Sequence, residues 1–270
     1  MYKATEIARF VCTHLRAALP NFTGQYKRRD ILRMHGHVVQ WLFVDVSRGG
    51  WIGVSPALMV LGPYLHLKDS EHCKNTDGTF NSDGLIVSVG LSGVSASAAR
   101  RWSFPPEIRL NEKFAAEIVA RLNKDSPISF VQPLEDEEIE KALRWFGKDG
   151  LNWVADLFLA FFNMTRGVPT ARKDLARACE LFIKRSRYST DKPPFDFEEA
   201  LFARFKELES RLDRPDCIAL CRADAEEHAK LLKLPSIVWP ADWPESVPPW
   251  PKEQPIGLTR KLGRLLGKAR

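Results

Sequence analysis

Four groupings of residues have the types from which chemical sites are built. His35 and His37 flank Gly36, with His66, His72 and Cys73 further along. Imidazole and thiolate are zinc ligands, but a zinc site needs four donors converging at about 2 Å. Only His35 and His37 lie close enough in sequence to preassemble, and all five read more simply as polar residues near turns. Cys217, Cys221 and His228 recur at helical intervals. The face holding Cys221 and His228 also carries Ile218 and Ala225, which points to buried thiols before a metal centre. Glu135, Asp136, Glu137 and Glu138 form an acidic run at the mouth of a helical pattern, where carboxylates complement the positive end of the helix dipole. Asp77, Asn81 and Asp83 lack the order and closing glutamate of a calcium-binding EF-hand loop.

The standard signatures of nucleotide cradles, nucleophile elbows and zinc proteases do not occur, and Gly90-Leu-Ser-Gly-Val-Ser95 reads as a strand end entering a turn. The sequence therefore assigns no catalytic residue, no metal and no cofactor, and leans away from an enzyme. Its five cysteines (Cys12, Cys73, Cys179, Cys217 and Cys221) show no paired framework, so reduced thiols in a cytoplasmic protein are expected. No apolar run approaches the roughly 20 residues that cross a bilayer, and no signal-peptide core interrupts the charged first helix.

Charge and aromatic residues give better leads. Of the net charge of +6, residues 1 to 109 hold 13 basic and 8 acidic groups, residues 110 to 234 hold 21 and 23, and residues 235 to 270 hold 6 and 3. In an extended strand Lys27, Arg29 and Arg33 alternate to one face and form a positive stripe able to meet phosphates or an acidic protein; equally, they guard a sheet edge against mispairing. Residues 235 to 255 hold 7 of the 18 prolines and 3 of the 8 tryptophans. Such a segment is an extended strap, whose Trp239, Trp243 and Trp250 either pack on the body or face a partner. Beyond it, Arg260, Lys261 and Arg264 belong to a basic amphipathic tail that can meet a nucleic acid, an anionic membrane surface or a partner's groove.

The elements that must position these residues follow from periodicity. Apolar residues from Ile7 to Leu19 recur at helical spacing and stop at Pro20. Tyr26 to Met34 and His37 to Val46 predict a hairpin turning at Gly36; Trp51 to Val54, Leu58 to Leu67 and Leu85 to Leu91 predict further strands of an antiparallel meander. Lys68 to Gly84 reads as a long exposed loop. From Leu110 to Leu234 the pattern is helical, with about six helices in a hairpin stack and Leu151 to Met164 as the buried central one. Thr170 is a candidate cap, Asp196 with Glu199 a capping box, and Pro215 a first helical position. The fold class is therefore α+β: an N-terminal antiparallel sheet packed by a helix (1 to 109), a C-terminal all-helical half (110 to 234) and an extended Pro/Trp-rich tail (235 to 270).

The succession of a helix, a basic strand, HVVQWLFVDVSRGGWIGVSPALMVL, SPISFVQPLEDEEIEKALRW and LFLAFFNMTRGVPTARKDLARACELF resembles uncharacterised bacterial families in which a short antiparallel sheet precedes helices. Some of their members look like immunity proteins of contact-dependent or secreted toxins. The resemblance is one of layout over about residues 1 to 190 and carries no site residue; the strap and tail depart from it. It implies a non-enzymatic protein-binding protein. A nucleic-acid-associated protein using the basic strand and tail is the alternative, and an enzyme stands third.

Overall fold

The computed structural model describes residues 4–25, 29–46, 52–77, 79–90, 112–148, 152–246 and 250. Helix α1 (Ala4–Ala18) turns Ala8, Val11, Cys12 and Leu15 inward, as its spacing dictates, and Leu19 just past its end is buried with them. It covers a four-stranded antiparallel sheet in the order β1 (Asp30–His35), β2 (Val38–Val46), β3 (Ile52–Val60), β4 (Val89–Gly90). The β1–β2 hairpin pairs Arg33 with Gln40 and His35 with Val38 and turns through Gly36, whose φ of +53° favours glycine. An α-to-β arrangement of this kind, sheet first and helices after, is the architecture that the pattern predicted.

Several local expectations change. β3 runs unbroken through Pro56 and stops at Val60, so 58 to 67 is not one strand. The chain turns at Gly62, φ +111°, where an added Cβ would stand 2.4 Å from the Phe161 ring. The predicted strand at 85 to 91 is reduced to the two residues of β4 among the described residues. The polar stretch between them is not an open loop: 3-10 turns at Leu65–Asp69, Glu71–Cys73 and Ser82–Leu85 fold it against the body, with Cys73 and Leu85 fully buried as anchors.

Six helices follow: α2 (Glu112–Asp125), α3 (Asp136–Gly147), α4 (Trp153–Thr165), α5 (Ala171–Arg185), α6 (Asp196–Arg211) and α7 (Cys217–Leu231). α4 is buried from Ala155 to Thr165 and packs on α3, α5, α7 and β3, as expected of the most apolar helix. Its cap is Asn152, accepting from the Ala155 N–H. Caps elsewhere differ from expectation by small displacements. Thr170 accepts from the Asn163 amide at 3.3 Å and makes no side-chain cap bond to α5. α6 is capped one residue early: Glu198, not Glu199, reaches back to the Phe195 N–H at 2.9 Å and also accepts from the Arg187 N–H. α7 begins after Pro215, at Cys217. One continuous apolar core joins the sheet, the helices and the strap. The boundary expected near residue 109 and the tail from residue 251 lie outside the described residues.

Candidate binding site

The nine residues singled out as binding candidates separate into three groups. Lys27, Arg260, Lys261 and Arg264 lie outside the described residues. The three tryptophans pack on the body. Trp243 and Trp250 are buried and Trp239 is half-buried. Of the stripe, Arg29 is exposed, whereas Arg33 is only 4% exposed.

Arg33 therefore corrects the stripe. β1 is the edge strand of the sheet, but the face that carries Arg33 is covered by the chain around residues 129 to 132. Its guanidinium donates to Gln40 Oε1 and to the carbonyls of Ser129 and Gln132, and lies 5.0 Å from the Phe22 ring centre. Burial pulls its pKa down to about 10, with Glu138 opposing. This arginine is an internal tie.

The strap tryptophans complete a polar node at the end of the hairpin. Asp136, first residue of α3, accepts from His35 Nε2 at 2.7 Å, from Trp243 Nε1 at 2.9 Å and from Arg166 Nε at 2.9 Å. Burial raises its pKa, but these three donors win and hold the carboxyl below its usual range. The acidic run thus does more than meet a helix dipole; its first helical residue gathers β1, α4 and the strap. Beside it His37 is fully buried among Phe161, Phe162, Trp239 and Trp243. The Thr165 hydroxyl donates to the Phe162 carbonyl, so its oxygen faces His37 Nε2–H at 3.4 Å. Burial pushes His37 down to about 3, and the ring is neutral. Trp250 Nε1 closes the strap on the Val168 carbonyl at 3.1 Å.

A second internal node joins α6 and α7 to the turn after β3. Arg204, 5% exposed, donates to the carbonyls of Gly62 and Pro63 and to Asp224 and Glu207. His228 accepts from the Gly62 N–H at its Nδ1, 2.9 Å away, and its Nε2–H donates to the Leu85 carbonyl at 3.2 Å. Desolvation, reinforced by the Arg204 charge, lowers its pKa to about 4. Cys217 and Cys221 are buried, and His228 is turned to the backbone instead of to them.

Of the arginines in the N-terminal layer, Arg9 and Arg29 are exposed and Arg16 is half-buried. Arg9, Thr13 and Arg16 lie on one face of α1 at spacings of four and three residues, and with Cys12 and Gln25 they line an open recess of about 310 Å³. The Thr13 hydroxyl donates to the Arg9 carbonyl. Arg16 makes one long contact, Nη2 to Gln25 Oε1 at 3.4 Å, and its Nε is buried with no hydrogen-bond acceptor. Among the described residues neither Arg9, Arg16 nor Arg29 has a carboxylate partner. Cys12 stays a neutral thiol: burial and then the Asp30 charge push it up to about 12, against the pull of Arg16. Sequence reasoning noted the basic excess of this region but placed it on the strand. The signal for the helix was present in the 9, 13, 16 spacing.

Among the described residues no group of three or more metal-ligating side chains converges, and no helix is long and apolar enough to cross a membrane. Compared with protein-family models, curated proteins and solved structures, the chain shows no significant match to any of them.

Proposed function

We propose that the protein is a non-enzymatic binding protein whose N-terminal basic face receives an acidic surface of a partner protein. The observation that carries this reading is the contrast in how arginines are used. Most arginines of the helical half close on carboxylates or carbonyls, as in Arg144 with Glu140, Arg172 with Asp213 and Arg211 with Asp224, the exposed Arg185 at the end of α5 being an exception among the described residues. Arg9, Arg16 and Arg29 have no such partner and stand at the surface or half-buried. Cations without local acidic partners steer association and set its specificity through charge complementarity. A toxin and immunity-like pairing is the instance of this class suggested by the layout of the sequence.

The test is affinity capture from a bacterial lysate, with and without nuclease treatment, using the wild-type chain and the R9E/R16E/R29E variant. The reading expects an acidic protein retained at defined stoichiometry by the wild type, released by salt, and lost in the variant. Retention that disappears with nuclease treatment would move the function to the nucleic-acid alternative. Equal capture by both chains would remove the basic face from the account.

A further inference from the structure

We infer that the recess on α1 is an oxyanion site for a small phosphorylated molecule, held between the guanidinium groups of Arg9 and Arg16. The inference rests on the reading of the basic face given above, narrowed from a surface to one pocket.

Arg16 supplies the central observation. The edge of a guanidinium formed by Nε and Nη2 is the one that accepts two oxygens of a phosphate or carboxylate side by side. On Arg16 this edge holds a single contact, Nη2 to Gln25 Oε1 at 3.4 Å, while Nε is shielded from water and has no acceptor. A buried charged donor left without an acceptor is costly, and a ligand oxygen removes that cost. Arg16 lines the recess together with Arg9.

Arg9 supplies the second charge. Seven residues of α-helix separate the two Cα atoms by about 10 Å, and side chains of arginine length meet easily across that span from the same face. Two guanidinium groups match the double charge of a phosphate monoester better than the single charge of one carboxylate. The other lining groups do not oppose an anion. Thr13 turns its proton to the Arg9 carbonyl and keeps a small neutral wall, and Cys12 presents a thiol, not a thiolate. Asp30, which acts on Cys12, is buried beneath the sheet edge and already has an interaction of its own. A volume of about 310 Å³ exceeds what a bare phosphate fills and leaves room for a small organic group attached to it.

The experiment is titration calorimetry at fixed ionic strength with inorganic phosphate, glycerol 3-phosphate and succinate, on the wild type and on Arg16→Gln, Arg9→Gln and Lys173→Gln. Lys173 is exposed on α5 and controls for loss of one positive charge away from the recess. The expected result is one saturable site for the phosphates, weakened about tenfold or more in R16Q and in R9Q and unchanged in K173Q. Tighter binding of glycerol 3-phosphate identifies a phosphate ester as the natural class, and equal binding identifies free phosphate. Absence of saturable heat in the wild type overturns the inference, as does succinate binding as tightly as the phosphates, or K173Q weakening binding as much as R16Q. Arg9 is exposed, so R9Q keeps the test decisive if R16Q folds poorly. Arg29 is not in the lining: an R29E chain that loses the captured protein yet binds phosphate separates failure of one reading from failure of the other.

Discussion

Arg16 on α1 and Arg204 on α6 carry the same guanidinium, and the fold surrounds them in opposite ways. Arg204 reaches two carbonyls and two carboxylates and fastens the helical half to the turn after β3. Arg16 has one long contact to a glutamine and a shielded nitrogen with no acceptor. The difference follows the charge inventory. Residues 110 to 234 hold 21 basic and 23 acidic groups, so that an arginine there often has a carboxylate within reach, whereas residues 1 to 109 hold 13 and 8. Where acids are plentiful, arginine becomes a structural tie; where they are scarce it either recruits carbonyls, as Arg33 does, or remains available at the surface.

This contrast is broken most directly at Arg204. Replacing it with alanine removes several buried hydrogen bonds at once, to the carbonyls of Gly62 and Pro63 and to Asp224, which keeps Arg211, and the expected loss of stability is about 3–4 kcal/mol by urea denaturation. A loss below about 1 kcal/mol would show that the tie is dispensable and that the two classes of arginine are not distinct.

Acid tests the seam between the two regions. His37, His66 and His228 each take a proton near 6.5 when unfolded, but burial holds the folded rings neutral down to about 3, 4 and 4. Between those values the unfolded chain binds more protons, so stability falls as pH drops. Asp156 works the other way: burial raises its folded pKa from 3.8 to about 6, so across that window the folded chain binds more protons and gains stability on acidification. Three groups outweigh one. From pH 7.5 to 5.5 the wild type should lose on the order of 3 kcal/mol, with each histidine contributing about 1.4 kcal/mol over the whole interval and Asp156 returning somewhat less than that. A flat profile over that range would mean that these rings titrate in the folded protein.

Trp243→Phe sharpens the picture of the Asp136 node, because it keeps most of the ring packing and removes the indole N–H that Asp136 accepts. A destabilisation of about 1–2 kcal/mol is expected in thermal or urea unfolding. Smallest of all should be Arg29→Gln and Arg9→Gln, which touch no tie and should change stability by less than about 0.5 kcal/mol. A larger cost at either would place it among the structural arginines.

The elements were readable wherever local spacing decides them. The apolar stripe of α1, the hairpin around Gly36 and the buried α4 all follow from period and turn chemistry. What was not readable depends on partners distant in the chain. Lys27, Arg29 and Arg33 share a parity, but nothing in that alternation says that residues 129 to 132 cover Arg33. Asp136 satisfied a local reading as a helix-start carboxylate, which concealed its bonds to His35, Arg166 and Trp243. The shift of the α6 cap from Asp196 to Phe195 shows the same limit on a smaller scale, since Glu198 is fixed partly by the Arg187 N–H of the preceding turn. The recess is intermediate: its arginines lie at visible helical intervals, but the role of Gln25 comes only from the return of the chain beside α1.

The indole of Trp243 and the carboxylate it meets on Asp136 are separated by 107 residues of chain. During synthesis the hairpin and α3 therefore emerge first, and at about 10 residues per second the closing tryptophan follows on the order of 10 s later. Throughout that interval the rings of His35 and His37 lack the indole that will pack against them. The nascent chain is consequently a different molecule from the finished one, with an aromatic cleft open to water and to chaperones. Arrival of the strap sets the moment at which the packing of the hairpin becomes complete, so an earlier-made element waits on a segment made more than a hundred residues later.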